Sequence, residues 1–159
     1  MSSPNANWDR WIFASISKHF VDVLSSNHVF IEGQKRDTRK LTEWFEVRVD
    51  GPFYTETSKG MFDVLVEINI LCASILKDES IHNIHSLTGL VANAMTTSLV
   101  VYKYGTGVLD DQSVLGCLKI VTESRGKDRI QTNHFGQIGS NTELIQATVE
   151  GHYKMELEA

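Results

Sequence analysis

Cysteine, basic charge and long apolar runs are scarce or absent in this sequence, and each absence excludes a class of protein. Only Cys72 and Cys117 occur among the 159 residues, both in apolar, strand-like stretches. This placement favours free buried thiols in a reducing compartment, and a bridge between them is the less favoured alternative. No apolar run reaches the roughly eighteen residues of a membrane span. The first ten residues, MSSPNANWDR, lack the basic and apolar regions of a secretory signal.

Acidic residues outnumber basic ones, with 20 Asp and Glu against 15 Lys and Arg, and the formal net charge is −5. This balance argues against generic nucleic-acid binding, which needs a basic face. It remains compatible with a protein that lines a path along which DNA passes without binding. The length predicts one domain over residues 1–159, and the 42% hydrophobic content is ordinary for a globular protein.

The most regular pattern in the chain covers residues 145–157, IQATVEGHYKMEL. Apolar and polar residues alternate there with a period of two, weakened only at Gly151. The alternation predicts a long strand with one packed face and one solvent-exposed face. At ~3.4 Å per residue such a strand extends on the order of 40 Å. Its polar row has the composition of a surface rather than of a catalytic site: Gln146, Thr148, Glu150, His152, Lys154 and Glu156.

The N-terminal half predicts one helix and a long hairpin. Apolar residues recur at three- and four-residue steps over 8–24, which indicates an amphipathic helix, and a short strand follows at 28–34. Alternation returns at 44–50 and again at 62–72. The segment between them, 50–60, is polar and contains glycine and proline, so it predicts a loop. The two strands and their loop together predict a β-hairpin with a projecting arm.

The C-terminal half predicts a second helix over 80–97 and a strand at 98–104. Two further strands, at 114–122 and 129–132, bracket a charged turn and predict a second hairpin, with a polar loop at 133–143 before the final strand. Helices and strands do not alternate regularly along the chain. The order therefore predicts an α+β fold, a mostly antiparallel sheet packed by two helices.

The best candidate for metal chemistry combines Asp78 with His82 and His85, while His134 and His152 lie elsewhere in the sequence. Histidines at i and i+3 share a helix face, and an upstream carboxylate would complete a ligand set. The spacing is not the i, i+4 pattern of zinc proteases, so an exposed first helical turn is the favoured interpretation. A small metal-dependent hydrolase is the alternative from another functional class. We otherwise expect no enzyme, metal or cofactor.

Cys117 with a distant histidine would resemble a thiol nucleophile. The cysteine lies between Leu115 and Leu118 in a predicted strand, and burial makes such a thiol inert. We therefore expect no catalytic residue in the chain.

Two basic turns, QKRDTRK at 34–40 and SRGKDR at 124–129, are each interrupted by an aspartate. They predict solvated hairpin ends or charged contacts with a neighbouring protein rather than a phosphate site. The basic residues concerned are Lys35, Arg36, Arg39, Lys40, Arg125, Lys127 and Arg129.

The whole order of elements is similar to that of a known family. An amphipathic helix, a short strand and two long strands with a protruding loop come first, and a packing helix, further strands and the alternating TVEGHYKMEL follow. This order resembles the tail terminator proteins of long-tailed bacteriophages, typified by that of lambda. The resemblance covers nearly the whole chain and depends on the order and length of the elements rather than on a short motif.

The resemblance implies a structural protein of the virion that assembles in the host cytoplasm. Such proteins form a ring, usually a homohexamer, that caps the tail tube, stops its polymerisation and docks to the head connector or stopper protein. DNA passes through the lumen without specific binding, and no membrane is involved. The tail tube protein and other neck ring proteins share much of this plan and remain close alternatives.

The segment 51–60 corresponds to the tube-facing arm of that family. We expect Phe53 and Tyr54 to be exposed there and to anchor an interface, because exposed aromatic residues on a loop are unfavourable unless a partner covers them. The alternative is that both rings fold back onto their own sheet. The predicted arm interface comprises Pro52, Phe53, Tyr54, Thr55, Glu56, Thr57 and Lys59.

Overall fold

The computed structural model describes residues 2–25, 27–35, 37–75, 80–95, 98–104, 113–121, 130–137 and 144–159. These residues form two helices and seven strands. Their bounds are α1 Trp8–Val23, β1 His28–Ile31, β2 Glu43–Ser58, β3 Met61–Ile75, α2 Ser80–Met95, β4 Leu99–Tyr102, β5 Val114–Ile120, β6 Ile130–Gln137 and β7 Leu144–Glu158.

The seven strands form one sheet in the order β1-β2-β3-β7-β5-β4, and β6 also pairs with β7. Only the β1–β2 pair is parallel, and all other pairs are antiparallel. The centre of the sheet is the β3–β7 pair, which is continuous from Met61 opposite Glu158 to Ile75 opposite Leu144. Two helices with a mostly antiparallel sheet confirm the predicted α+β class.

One face of the sheet carries the main hydrophobic core. The predicted apolar rows of β3 and β7 all point into it, and Ile68, Ile70 and Val149 are fully buried. Both helices cover this same face, because their apolar stripes belong to one cluster with these strand residues. The buried Tyr153 hydroxyl donates a 2.6 Å hydrogen bond to the carbonyl oxygen of Met95, which ties the end of α2 to β7.

The predicted loop at 50–60 is wrong. β2 continues as a strand to Ser58, and the chain reverses only at Lys59 and Gly60. Gly51, at φ +95°, lies in a bulge between Asp50 and Phe53, where Gly51 and Pro52 lie opposite the single residue Val66 without ending the pairing. Pairing with β3 satisfies the backbone groups on one side of the strand, so its polar side chains do not force a loop.

The predicted second hairpin is also wrong, because β5 and β6 do not pair with each other in the described part of the chain. Both pair instead with the same side of β7: β5 through Lys119 opposite Lys154, and β6 from Ile130 opposite Gly151. β6 continues to Gln137, so the predicted loop at 133–143 begins too early. The 15 residues of β7 are long enough to pair with two short strands in succession.

A second, smaller cluster lies on the opposite face of the sheet, at the end where β1 joins β2. Phe30, Trp44 and Ala73 form its buried part, and Leu41 packs against it. Glu46 is also 8% exposed there, although alternation along β2 places its side chain on the face away from the helices. Both helices that the structure describes lie on the face with the main core, so neither covers the face that carries this small cluster.

Candidate functional site

The predicted metal-ligand group does not assemble in the described residues. His82 and His85 are exposed on α2, and Asp78 lies outside the described residues. Within the ranges that the structure describes, no group of three or more His, Cys, Asp or Glu side chains is placed to hold a metal ion. The described part of the chain therefore provides no ligand set for the metal-dependent hydrolase alternative.

His85 does contact a histidine, although not the one nearest in sequence. Its ring lies 4.3 Å from that of His134 on β6, measured between ring centroids, with the planes tilted by 42°. Partial burial lowers the pKa of His134, and the neighbouring His85 lowers it further. Both effects disfavour the charged form of His134, and the two rings form a contact between α2 and β6. No local sequence pattern predicts this pair.

Both cysteines are free thiols, as the sequence favoured. Cys72 is buried in the core, and burial raises its pKa to about 12, so it stays protonated at neutral pH. Cys117 is half-buried rather than buried, which corrects the prediction. Its Sγ lies 4.0 Å from the carbonyl oxygen of Leu118. No described contact links the Cys117 thiol to a histidine, so the structure gives it no base.

The face of the sheet opposite the helices is the main candidate surface, and we call it the open face. Cross-strand neighbours on it form polar rows, such as Asp50, Glu67 and His152. Carboxylates predominate over basic groups on β2, β3, β5 and β7. The acidic members are Glu46, Asp50, Asp63, Glu67, Glu150, Glu156 and Glu158, and the basic members are Arg48, Lys119, His152 and Lys154.

Several carboxylates of the open face contact a lysine or histidine side chain. Lys154 Nζ lies 3.1 Å from Asp63 Oδ2, and these side chains are 50% and 27% exposed. His152 lies between two carboxylates, with Nε2 3.0 Å from Glu150 Oε1 and Nδ1 3.5 Å from Glu67 Oε1. These contacts fix side-chain positions on the surface of the sheet, and partly exposed pairs of this kind add little stability.

The structure separates the two aromatic residues of the predicted arm. Phe53 lies on the open face, is 53% exposed, and has Leu65 as its cross-strand neighbour. Tyr54 points the other way and packs on Trp8 of α1, with ring centroids 5.9 Å apart. Burial, and then the charge of Asp9, raises the Tyr54 pKa to about 12. The alternative that the ring folds back onto its own sheet is therefore correct for Tyr54, whereas the exposed ring of Phe53 is accessible to a partner.

Glu56 holds the turn of the β2–β3 hairpin. Its Oε1 accepts the backbone N–H of Gly60 at 3.2 Å and that of Ser2 at 3.3 Å. These hydrogen bonds stabilise the carboxylate and lower the pKa of Glu56. The other predicted arm residues are presented to solvent, with Thr55, Thr57 and Lys59 exposed and Pro52 half-buried.

The first basic turn is exposed, and part of its charge is neutralised locally. Arg39 Nη2 lies 2.8 Å from Asp37 Oδ2, and these hydrogen bonds lower the pKa of Asp37. Lys35 and Lys40 are exposed beside this pair. The remaining predicted basic residues lie outside the described residues: Arg36, Arg125, Lys127 and Arg129.

Comparison with known proteins adds no family to these observations. No protein-family model matches the chain, and no curated protein matches it. Neither of the helices in the described ranges is long and apolar enough to cross a membrane.

Proposed function

We propose that this chain is a structural ring subunit of a long-tailed bacteriophage, most specifically the tail terminator. In this role a homohexameric ring caps the tail tube, stops its polymerisation and joins it to the head connector or stopper protein. The proposal places the protein in the virion after assembly in the host cytoplasm. It also assigns the chain no catalytic role.

One observation carries the proposal: a long central sheet has both helices on one face and an open, acidic face on the other. β3 and β7 are each 15 residues long. At ~3.4 Å per residue, that length supports a continuous wall on the order of 50 Å long. A wall of this kind is suited to lining a channel, with the helices on the outside.

The charge of the open face suits the passage of DNA. Its carboxylates, among them Asp50, Glu67 and Glu156, repel phosphates and disfavour binding. The basic residues Lys154 and His152 are paired with carboxylates and therefore do not form a phosphate site. A lumen lined in this way lets DNA slide.

Phe53 supplies a candidate contact for assembly. A ring exposed by 53% beside the apolar side chain of Leu65 gains stability when a protein partner covers it. The partners proposed are further copies of this chain and the tail tube protein.

Native mass spectrometry and negative-stain electron microscopy test the proposal. We expect rings of the purified chain and, on addition to tail tubes, rings at the tube ends that stop further growth. Rings that instead stack into tubes would assign the alternative role of tail tube protein. Rings that bind only the connector would assign another neck role. A protein that stays monomeric at all concentrations and never associates with tubes would contradict the proposal.

A further inference from the structure

We infer that copies of this chain join edge to edge, the unpaired edge of β6 in one copy adding to the distal edge of β2 in the next. The partner is a second copy, and this inference rests on the proposed ring. The joined strands would continue one antiparallel sheet from copy to copy.

The distal half of β2 has a neighbour on one side only. β1 pairs with β2 from Trp44 to Val47, and the Glu32 N–H then donates to the Val47 carbonyl oxygen at 2.9 Å. From Arg48 to Ser58, β2 pairs with β3 alone among the described residues. Alternate residues among these eleven direct their backbone groups outward along a sheet edge, where Pro52 has no N–H to donate, and such an edge is a template for another strand.

β6 presents a second edge, on the other side of the β3–β7 pair. It pairs with β7 and with no other strand that the structure describes. Its sequence, IQTNHFGQ, contains no lysine, arginine, carboxylate or proline. Sheet edges that do not pair with another strand normally carry such residues, which prevent the pairing. β6 therefore has the composition of a strand that accepts a neighbour.

The edge at β4 shows what a closed edge looks like in the same molecule. α1 packs along β4, and the Tyr102 N–H donates to Ser15 Oγ at 3.0 Å. The side chain of Trp11 donates to the carbonyl oxygen of Tyr104 at 2.8 Å. The helix thus occupies backbone groups at this end, and the edges at β2 and β6 have no equivalent cover among the described residues.

Strand direction makes the two open edges complementary. Each step in the series β2, β3, β7, β6 is antiparallel, so β6 of one copy runs antiparallel to β2 of a neighbour in the same orientation. Such a contact joins two different surfaces and can propagate until a ring closes. Each edge also has an exposed phenylalanine beside a bulge, Phe53 at 53% and Phe135 at 56%.

The two edges are offset along the strands. β6 pairs with β7 from Ile145 to Gly151, whereas the distal part of β2 is level with β7 residues 150–158 through β3. Each added copy is therefore displaced along the strand direction. A closed barrel needs such a stagger, because its strands tilt relative to the axis.

Proline substitution in the full chain tests the β6 edge. Adjacent strand residues direct their N–H groups to opposite sides, so one of Thr132→Pro and Asn133→Pro keeps the β7 pairing and removes a donor from the outer edge. The melting temperature identifies that variant, and the other serves as the matched control. We expect the variant that keeps the β7 pairing to need about tenfold more protein for half-assembly than the wild type, measured by mass photometry.

Cross-linking provides a test that does not depend on proline. In a Cys117→Ser background, Thr55→Cys protein is mixed with Asn133→Cys protein and treated with a short bismaleimide. We expect a mixed dimer, and none when Lys18→Cys on the exposed side of α1 replaces either partner. Both Thr55 and Asn133 lie on the open-face side of their strands, so their side chains would share one face of the joined sheet.

The outcomes separate this inference from the proposed function. Wild-type rings, together with normal assembly of both proline variants and no mixed dimer, would overturn the edge assignment and leave the ring role standing. A Thr55→Cys protein that cross-links only to itself would also overturn it, because that result indicates β2–β2 pairing. A wild-type protein that is monomeric at all concentrations would overturn both proposals.

Discussion

On the helix-covered face of β3 and β7, the alternate side chains from Phe62 to Cys72 and from Ile145 to Leu157 are apolar and buried in one cluster, apart from Gly151, which has no side chain. On the open face, the intervening side chains of β7 from Gln146 to Glu158 are charged or polar, whereas those of β3 include both polar residues and apolar ones such as Leu65 and Leu71, and several polar side chains pair across the sheet, as Asp63 does with Lys154. Both faces therefore derive from the same two stretches of sequence. The interactions on the two faces differ. Burial of apolar area stabilises the helix-covered face, and cross-strand pairing arranges the side chains of the open face.

Under the proposed function, stability depends mainly on the covered side of the sheet and assembly on the open side. Substitutions on the covered face should change the free energy of unfolding, because they create cavities. Substitutions on the open face or at the free edges should change association at nearly constant stability. Phe53 and Tyr54, adjacent in sequence and on opposite faces, provide the sharpest comparison.

The largest effect is expected for Ile68→Ala on β3. Ile68 is fully buried in the main core, so its truncation leaves a cavity and should cost about 2–5 kcal/mol in the free energy of unfolding. Urea denaturation measures the loss. The control is Thr55→Ala, an exposed strand residue, which should stay within about 0.5 kcal/mol of the wild type. Equal losses in the two variants would contradict the division between the faces.

The next effect separates the two aromatic neighbours on β2. Tyr54→Ala removes the contact with Trp8 and should lower stability by about 1–3 kcal/mol. Phe53→Ala should leave the unfolding free energy within about 0.5 kcal/mol of the wild type and weaken ring formation or tube docking. Melting temperature and oligomer mass are measured on both proteins. A Phe53→Ala protein that loses stability and still assembles normally would refute its interface role.

A smaller effect is expected for Tyr153→Phe. The substitution keeps the buried ring and removes the 2.6 Å hydrogen bond to the Met95 carbonyl oxygen. An acceptor left buried without its donor should cost about 1–2 kcal/mol. Thermal unfolding checks the size, and Tyr102→Phe, on a half-buried residue of β4, is the matched control. A stability equal to that of the wild type would show that the bond contributes nothing net.

The smallest effect concerns pH and Glu56. Hydrogen bonds from the backbone N–H groups of Gly60 and Ser2 lower the pKa of Glu56 in the folded state below its ordinary value. The resulting stability is present above the unfolded pKa and is lost as the pH falls through the folded pKa. Glu56→Gln should therefore flatten the decline of melting temperature below pH 4.5 and change little at pH 7. An unchanged acid profile would show that these hydrogen bonds do not favour the folded carboxylate.

Strict alternation predicted the covered face well because burial selects side chains one by one. The strand positions around Ile70 and Val149 and the helix positions around Ile16 and Val91 are buried as expected. Alternation does not encode which strands pair. β5 and β6 are neighbours in sequence, which predicts that they pair with each other. Both pair instead with the same long edge of β7.

The candidate surface was harder to predict for a related reason. Glycine and proline in a polar segment favour a loop, whereas a bulge at Gly51 keeps 51–58 in the sheet. A loop has no alternation of side chains, so the loop prediction does not place Phe53 and Tyr54 on opposite faces of the sheet. The His85–His134 contact joins distant parts of the chain and has no local signal.

The unequal environments of the two cysteines also provide a way to count the chains in an assembly. The Cys72 thiol is buried and, with a pKa of about 12, unreactive at neutral pH, whereas Cys117 on β5 is half-buried. A maleimide dye should therefore attach once per copy, at Cys117, without any engineered residue. The number of single-molecule bleaching steps in one labelled assembly would then give the number of chains that it contains.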